Sequence, residues 1–240
     1  MHKTTAEAVD FVHRFREALG REVSAEILLI PPFTALCGIR QMLRADDPFG
    51  LGAQDLSWED EGAYTGEVSG CMLKDAGCRS VIVGHSERRR LLGETDAQVN
   101  HKLHAALRHD LAPILCVGET LEEREAGQTR DVVQAQLLRA LRDVPPERMT
   151  GLAIAYEPVW AIGTGYAATV RQIEDVHAFL RSILNAEWPH TGHGTRIIYG
   201  GSVSPDNAGE LFGSDEINGA LVGKACLDPD GFAKICRLAA

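Results

Sequence analysis

This chain has few aromatic residues and no excess of positive charge, and both shortages narrow its function before any motif is read. Lys and Arg number 24 against 34 Asp and Glu, a formal charge of −10. A surface of that sign suits neither nucleic acid nor an anionic membrane as partner. It still admits a small anionic metabolite, provided local N–H groups and a local cation outweigh the global field. Long apolar runs are lacking as well. None nears the ~18 residues that span a bilayer, and the N-terminus has no signal-peptide core. The six cysteines, at 37, 71, 78, 116, 226 and 236, form neither a Cys-x-x-Cys pair nor a dense framework. They sit in apolar or helical stretches, as reduced thiols do, and the expectation is a cytoplasmic protein.

Nucleotide and metal signatures are missing too. The run from Gly219 to Lys224 is one residue short of a P-loop, and Ala225 stands where a magnesium-binding hydroxyl belongs. No Gly-x-Gly-x-x-Gly follows any expected strand. No His/Asp/Glu set lies across strand ends in the manner of a catalytic metal site. The pairs His101/His104 and His190/His193 read as a solvated helix face and a loop. The expectation is no metal and no cofactor.

What is present is a core of Val, Ile, Leu and Ala, with 45% hydrophobic and only 6% aromatic residues. Residues 1–240 read as one α/β domain, a length that suits a βα barrel. Short, largely non-alternating apolar segments at 26–31, 49–54, 79–84, 112–118, 152–156, 196–200 and 219–223 read as parallel strands covered on both faces. Helical patterns lie at 4–19, 33–44, 70–76, 95–110, 121–143 (broken near Gly127), 169–187, 205–212 and 230–238. Ala8, Val9, Phe11, Val12, Phe15, Ala18 and Leu19 give the first helix an inward face. No strand precedes it. Seven strands and eight helices leave the pattern one strand short of a closed (β/α)8 barrel, while an open seven-stranded sheet is the alternative.

Polar and glycine residues collect where one strand after another ends: Gly52 to Gln54, Gly84-His-Ser-Glu87, Cys116-Val-Gly-Glu119, Tyr156-Glu157, Tyr199-Gly-Gly-Ser202 and Gly223-Lys224. In a βα barrel these ends share the active face. The string Ala155-Tyr-Glu-Pro-Val-Trp-Ala-Ile-Gly-Thr-Gly165 runs an apolar strand into a carboxylate, Glu157. Pro158 and a glycine-bearing segment follow. That build suits an acid/base group on a rigid element beneath a loop able to close and exclude water. Glycines after the last two strands let backbone N–H groups approach a phosphate, and Ser202 can add its hydroxyl.

Together these strings resemble the triosephosphate isomerase family along essentially the whole chain. The resemblance is carried by Pro31-Pro-Phe-Thr34, Gly52-Ala-Gln54, Gly62-Ala-Tyr-Thr-Gly-Glu67, Val83-Gly-His-Ser-Glu-Arg-Arg89, Cys116 to Glu119, Ala155 to Gly165, Tyr199 to Val203 and Leu221-Val-Gly223. It implies cofactor-free, metal-free interconversion of dihydroxyacetone phosphate and glyceraldehyde 3-phosphate in glycolysis and gluconeogenesis, by a homodimer. By the same resemblance Glu157 is the base that moves the proton and His85, held neutral, polarises the carbonyl. Glu87 is the carboxylate that follows the histidine. Pro158, Val159, Trp160, Ala161, Ile162, Gly163, Thr164 and Gly165 form the lid, with the Gly163 N–H on the phosphate. Ser202, Gly223 and the N–H of Lys224 complete the phosphate cradle. Tyr64, Thr65, Gly66 and Glu67 form the loop that reaches the neighbouring subunit.

Two departures set further expectations. Lys224 stands where the family has a second glycine; its ammonium either adds charge at the phosphate or points to solvent, and solvent is favoured. Family members also begin with a strand ending Asn-Trp-Lys, whereas this sequence starts just after that lysine, and Lys3 is no substitute. The first barrel strand, an Asn and the main substrate-binding cation are therefore expected to be absent. Three readings follow: an isomerase impaired as the chain stands, a non-catalytic phosphate-binding remnant or interaction protein, and another phosphate-binding barrel such as a sugar-phosphate epimerase. The complete lid string and the lack of metal ligands disfavour the last.

Overall fold

The computed structural model describes residues 1–20, 23–164 and 166–239. Four helices begin at a Thr whose hydroxyl caps the first turn, while a Glu or Gln three residues on reaches back to the Thr N–H. These pairs are Thr4/Glu7, Thr95/Gln98, Thr120/Glu123 and Thr169/Gln172. Each box satisfies donors that a helix start would otherwise leave bare. Thr4 opens α1 (Thr5–Leu19), which precedes the first strand, β1 (Ile27–Leu29). Then follow α2 (Leu36–Met42), β2 (Phe49–Ala53), α3 (Gly70–Asp75), β3 (Ser80–Val83), α4 (Ser86–Leu92) and α5 (Asp96–Arg108). The second half comprises β4 (Ala112–Val117), α6 (Leu121–Glu125), α7 (Thr129–Ala140), β5 (Ala153–Tyr156), α8 (Val170–Glu187), β6 (Arg196–Tyr199), α9 (Ala208–Phe212) and α10 (Pro229–Leu238).

The six strands pair in parallel and in chain order, β1-β2-β3-β4-β5-β6. Parallel order with intervening helices puts every strand's C-terminal end on one face. The sheet curls. A bond between Arg196 Nη1, at the start of β6, and Glu26 Oε2, just ahead of β1, spans 2.6 Å across its floor. Outside, α1 meets α10 through Phe15 and Phe232, whose rings lie 4.9 Å apart. The main core fills the space between sheet and helices. A smaller one inside the curl holds Ile82, Ile114, Cys116, Ala153 and Ala155, with Leu28, Ile30, Ile198 and Leu221 only half-buried against it.

Three sequence expectations need correction. The segment at 219–223 is no strand: it makes one bridge, Ala220 to Tyr199, with Tyr199 N–H donating to Gly219 O and Leu221 N–H to Tyr199 O. The first strand likewise shrinks from six residues to three. Among the described residues each of these two segments has a neighbour on one side only. The third correction is α4, which the strand-end reading of Gly84-His-Ser-Glu87 did not anticipate; His85 caps its first turn. The break at Gly127 is present, at φ +72°, and divides α6 from α7. The architecture is a partial (β/α)8 barrel.

Candidate active site

The site begins with two strand ends. After β3 the chain turns at Gly84 and reaches His85, the N-cap of α4. Glu87 N–H donates to His85 Nδ1 at 3.2 Å. A nitrogen that accepts carries no proton, so this bond assigns the hydrogen to Nε2 and the ring to its neutral form. His85 Nε2 lies 3.0 Å from Glu157 Oε1. The other carboxylate oxygen accepts from Ser86 N–H at 2.8 Å. Glu157 therefore holds two donors of one helix start.

Glu157 follows β5 and is 2% exposed. Its own N–H donates to Val117 O at 2.8 Å, which continues the ladder past the strand. The glycines beside it are demanded by space. A Cβ on Gly118 would sit 1.8 Å from Glu157 O, and one on Gly200 would meet Glu157 Cγ at 2.7 Å. Burial raises the Glu157 pKa; His85, Ser86 and Cys116 oppose that shift without cancelling it. The Cys116 thiol is pushed well above its usual value by burial first and then by Glu157 beside it. A carboxyl whose ionised form is penalised this way is a stronger base when it does ionise.

The segment after Glu157 is tied down at its near end. Glu119, fully buried, accepts from Trp160 Nε1 at 2.9 Å, from Arg124 Nη1 at 3.2 Å and from Tyr156 Oη at 3.2 Å. Its backbone oxygen takes Val159 N–H at 3.0 Å. The Arg124 guanidinium lies over the Trp160 ring, 4.2 Å from its centroid. Ala161 is buried, whereas Ile162 is half-buried and Gly163 and Thr164 are exposed. Gly163 has φ +70°, and Thr164 Oγ1 donates back to Trp160 O at 2.7 Å. The loop is thus anchored as far as Ala161 and open beyond. Gly165 lies outside the described residues.

At the ends of β6 and the 219–223 segment, on the same face, Ser202, Gly223 and Lys224 are all exposed. Gly223 has open space around it and Lys224 opens a short turn, Lys224–Leu227. Between them Tyr199 is buried, and its hydroxyl makes no hydrogen bond among the described residues. Gly201 leaves room for that hydroxyl, since a Cβ there would lie 2.1 Å from it. Among the described residues no group of three or more His, Cys, Asp or Glu is arranged to hold a metal ion, and no helix is long and apolar enough to cross a membrane.

Comparison with known proteins agrees with this geometry. The family model for triosephosphate isomerase matches residues 1–239. The chain belongs to the triosephosphate isomerase family. The isomerase of Moorella thermoacetica is 52% identical over 235 residues, covering 98% of this chain and 94% of that one. That of Chloroflexus aurantiacus is 50% identical over 236 residues, with the same coverage. The crystal structure of triosephosphate isomerase from Bartonella henselae superposes with a TM-score of 0.89 at 38% identity, covering 99% of this chain and 94% of that one. The likeness supports an isomerase of glycolysis.

Of the residues singled out from sequence, His85 and Glu157 meet directly. The Glu87 carboxylate is exposed, and what Glu87 brings to the histidine here is its backbone N–H. Tyr64, Thr65, Gly66 and Glu67 form an exposed loop, closed by Glu67 N–H on Tyr64 O and with Tyr64 47% exposed. Sequence reading missed the parts that Glu119 and Arg124 play in anchoring the loop after Glu157. The signal was present in Cys116-Val-Gly-Glu119, where an acidic residue follows a strand that runs beside the lid-bearing one.

Proposed function

We propose that this chain interconverts dihydroxyacetone phosphate and D-glyceraldehyde 3-phosphate through an enediolate, with Glu157 as base and His85 as hydrogen-bond donor. The observation that carries the reading is the direct contact of Glu157 Oε1 with the N–H nitrogen of a neutral His85. With Glu157 resting on His85 and Ser86, the carboxylate occupies the donor a carbonyl oxygen needs. Substrate takes over His85 Nε2–H, which frees the carboxylate to collect a proton from C1. Electrons of that C–H bond move into the enediolate, whose charge His85 meets by hydrogen bonding. His85 passes the hydroxyl proton from the C1 oxygen to the C2 oxygen, and the carboxyl returns the first proton to C2, so atoms and charge balance with no outside reductant or base. The lid beyond Ala161 closes over the phosphate, to which Gly163, Ser202, Gly223 and the N–H of Lys224 contribute. The loop Tyr64–Glu67 joins two copies as a homodimer, and residues 1–240 act as one domain. The protein works in the cytoplasm, on a small molecule, without metal or cofactor.

A second reading is a non-catalytic phosphate-binding or interaction protein. It is favoured by one fact: among the described residues no Lys or Arg pairs with Glu157 or His85. On the first reading the same fact makes the chain a slow isomerase. A coupled assay decides, comparing this chain with one extended by a strand ending Asn-Trp-Lys. The extended form is expected to turn over triose phosphate faster by orders of magnitude. Equal rates would sink the impairment, and no turnover in either would favour the binding protein.

A further inference from the structure

Helix α7 places a polar residue on the stripe that faces the sheet. Val133, Leu137 and Ala140 are buried there, and Gln136, three residues after Val133 and four before Ala140, shares their face. A half-buried amide in such a position needs partners. Gln136 finds both on a single residue. Gly118 N–H donates to its Oε1 at 2.7 Å, and its Nε2 donates to Gly118 O at 3.2 Å. This pairing assigns the amide's oxygen and nitrogen, since a flipped amide would set donor against donor and acceptor against acceptor.

Gly118 needs this help because the ladder ends around it. Val117 O turns toward β5 and takes Glu157 N–H, so the Gly118 N–H and O turn the other way, toward β3. The β3–β4 register runs from Ser80 opposite Ala112 to Val83 opposite Leu115. Carried on, it would set Ser86 opposite Gly118, but Ser86 already opens α4. The strand neighbour has left, and the Gln136 amide stands in its place. Gly118 also lies against the Glu157 peptide, so close that a Cβ would collide with Glu157 C and O. The next residue, Glu119, holds Trp160 by its carboxylate and Val159 by its backbone oxygen. We infer that Gln136 is a positioning residue for Glu157. From outside the sheet its amide fixes the Gly118 peptide, and that peptide fixes where the backbone of Glu157 sits. The role requires an amide, because it needs an acceptor and a donor at one side-chain end. Gln136 acts through Gly118, not on substrate.

This role deepens the reading of Glu157 as the base and rests on it for any effect on turnover. Its test uses the full chain. Gln136→Met keeps the length of the side chain but makes neither bond, while Leu138→Ala trims the same helix where it packs on the core. Glu157→Asp and the double variant Gln136→Met/Glu157→Asp complete the set. Gln136→Met is expected to lower kcat about tenfold with KM within about twofold, the mark of a displaced base and not of a weakened binding site. Amide exchange at Gly118 and Glu157 is expected to quicken by ~10-fold or more in Gln136→Met and to stay near parental in Leu138→Ala, whatever each does to Tm. In Glu157→Asp the carboxylate already falls short, so adding Gln136→Met is expected to cost less than about threefold more. Parental exchange in Gln136→Met overturns the proposal. So do parental kcat in that variant, an equal loss in Leu138→Ala, or an undiminished cost on top of Glu157→Asp. If the parent itself turns over no triose phosphate, the catalytic reading fails, and exchange at Glu157 still decides the positioning. Quickened in Gln136→Met alone, it upholds the role; unchanged, it removes it.

Discussion

The His85–Glu157 pair and the proposed phosphate side share one face of the sheet but are built to opposite specifications. His85 and Glu157 stand at the ends of β3 and β5, in the middle of the sheet, with their bonds made and space fixed by Gly118 and Gly200. Ser202, Gly223 and Lys224 stand at its last rows, exposed and next to an unpaired edge. The first half is held ready before substrate arrives. The second half is open, and on the proposed reading a ligand and the loop beyond Ala161 complete it. Order is thus concentrated where the proposed chemistry develops charge, and openness where the proposed binding energy is collected.

The sharpest way to break this contrast is to remove the base. Glu157→Gln keeps shape and volume but takes no proton, and kcat is expected to fall by about 10²–10⁴-fold in the coupled assay. A loss under tenfold would remove Glu157 from the chemistry. His85→Gln is expected to lower kcat by about 10²-fold with a smaller change in KM, because its donor acts on charge that develops in the transition state.

The same Glu157→Gln variant carries a stability prediction of opposite sign. Burial raises this carboxyl's pKa in the folded chain, so the folded state favours the neutral form. The neutral carboxyl is well accommodated below the ordinary carboxylate range, and stability is lost as pH rises through the higher folded value. Replacing it with a permanently neutral amide should therefore raise Tm at about pH 8 by roughly 2–4 °C, the shift of about 1 kcal/mol in a chain this long. Near pH 4 the gain should vanish. A gain independent of pH would point to packing instead. In the parent, the acid limb of kcat/KM should lie above the usual Glu value for the same reason.

Smaller effects belong to the lid and the open side. Trp160→Phe keeps the ring on Arg124 but loses the donor to Glu119, and kcat/KM should drop about five- to tenfold, near the net worth of one ordinary hydrogen bond. Rescue by Glu119→Gln would show that the buried charge, left short of a donor, is the cause. Smallest of all, Lys224→Gly should change KM by no more than about threefold and leave the salt dependence nearly flat, as expected for an exposed ammonium turned to solvent. A steep rise in KM confined to low salt would instead place the ammonium on the phosphate.

How much of this was legible in the residues follows the same division. The strand-ending strings led to His85 and Glu157 because each closes a short apolar strand, and Pro158 stiffens the second exit. The four threonine boxes are equally local, each needing only a Glu or Gln three residues on, but they enter here from the structure. Lengths at the sheet's borders were not legible. Residues 26–31 and 219–223 have strand composition, but a ladder needs a partner, and partners are a property of the whole sheet. Helix α4 was hidden because Gly-His-Ser-Glu reads equally as a turn, and only the His85 cap decides. The part played by Glu119 was hidden by distance along the chain, since nothing local ties it to Trp160, 41 residues on.

The stack of Phe15 on Phe232 also bears on how the chain reaches this state. Phe15 is fully shielded, and part of its cover comes from the last helix. During synthesis α1 is made first, and it keeps an apolar stripe uncovered until α10 emerges. Docking of the two ends must therefore come late, after the long loop between them has been closed. Until then the first helix is where a holdase would bind, or a wrong neighbour would stick.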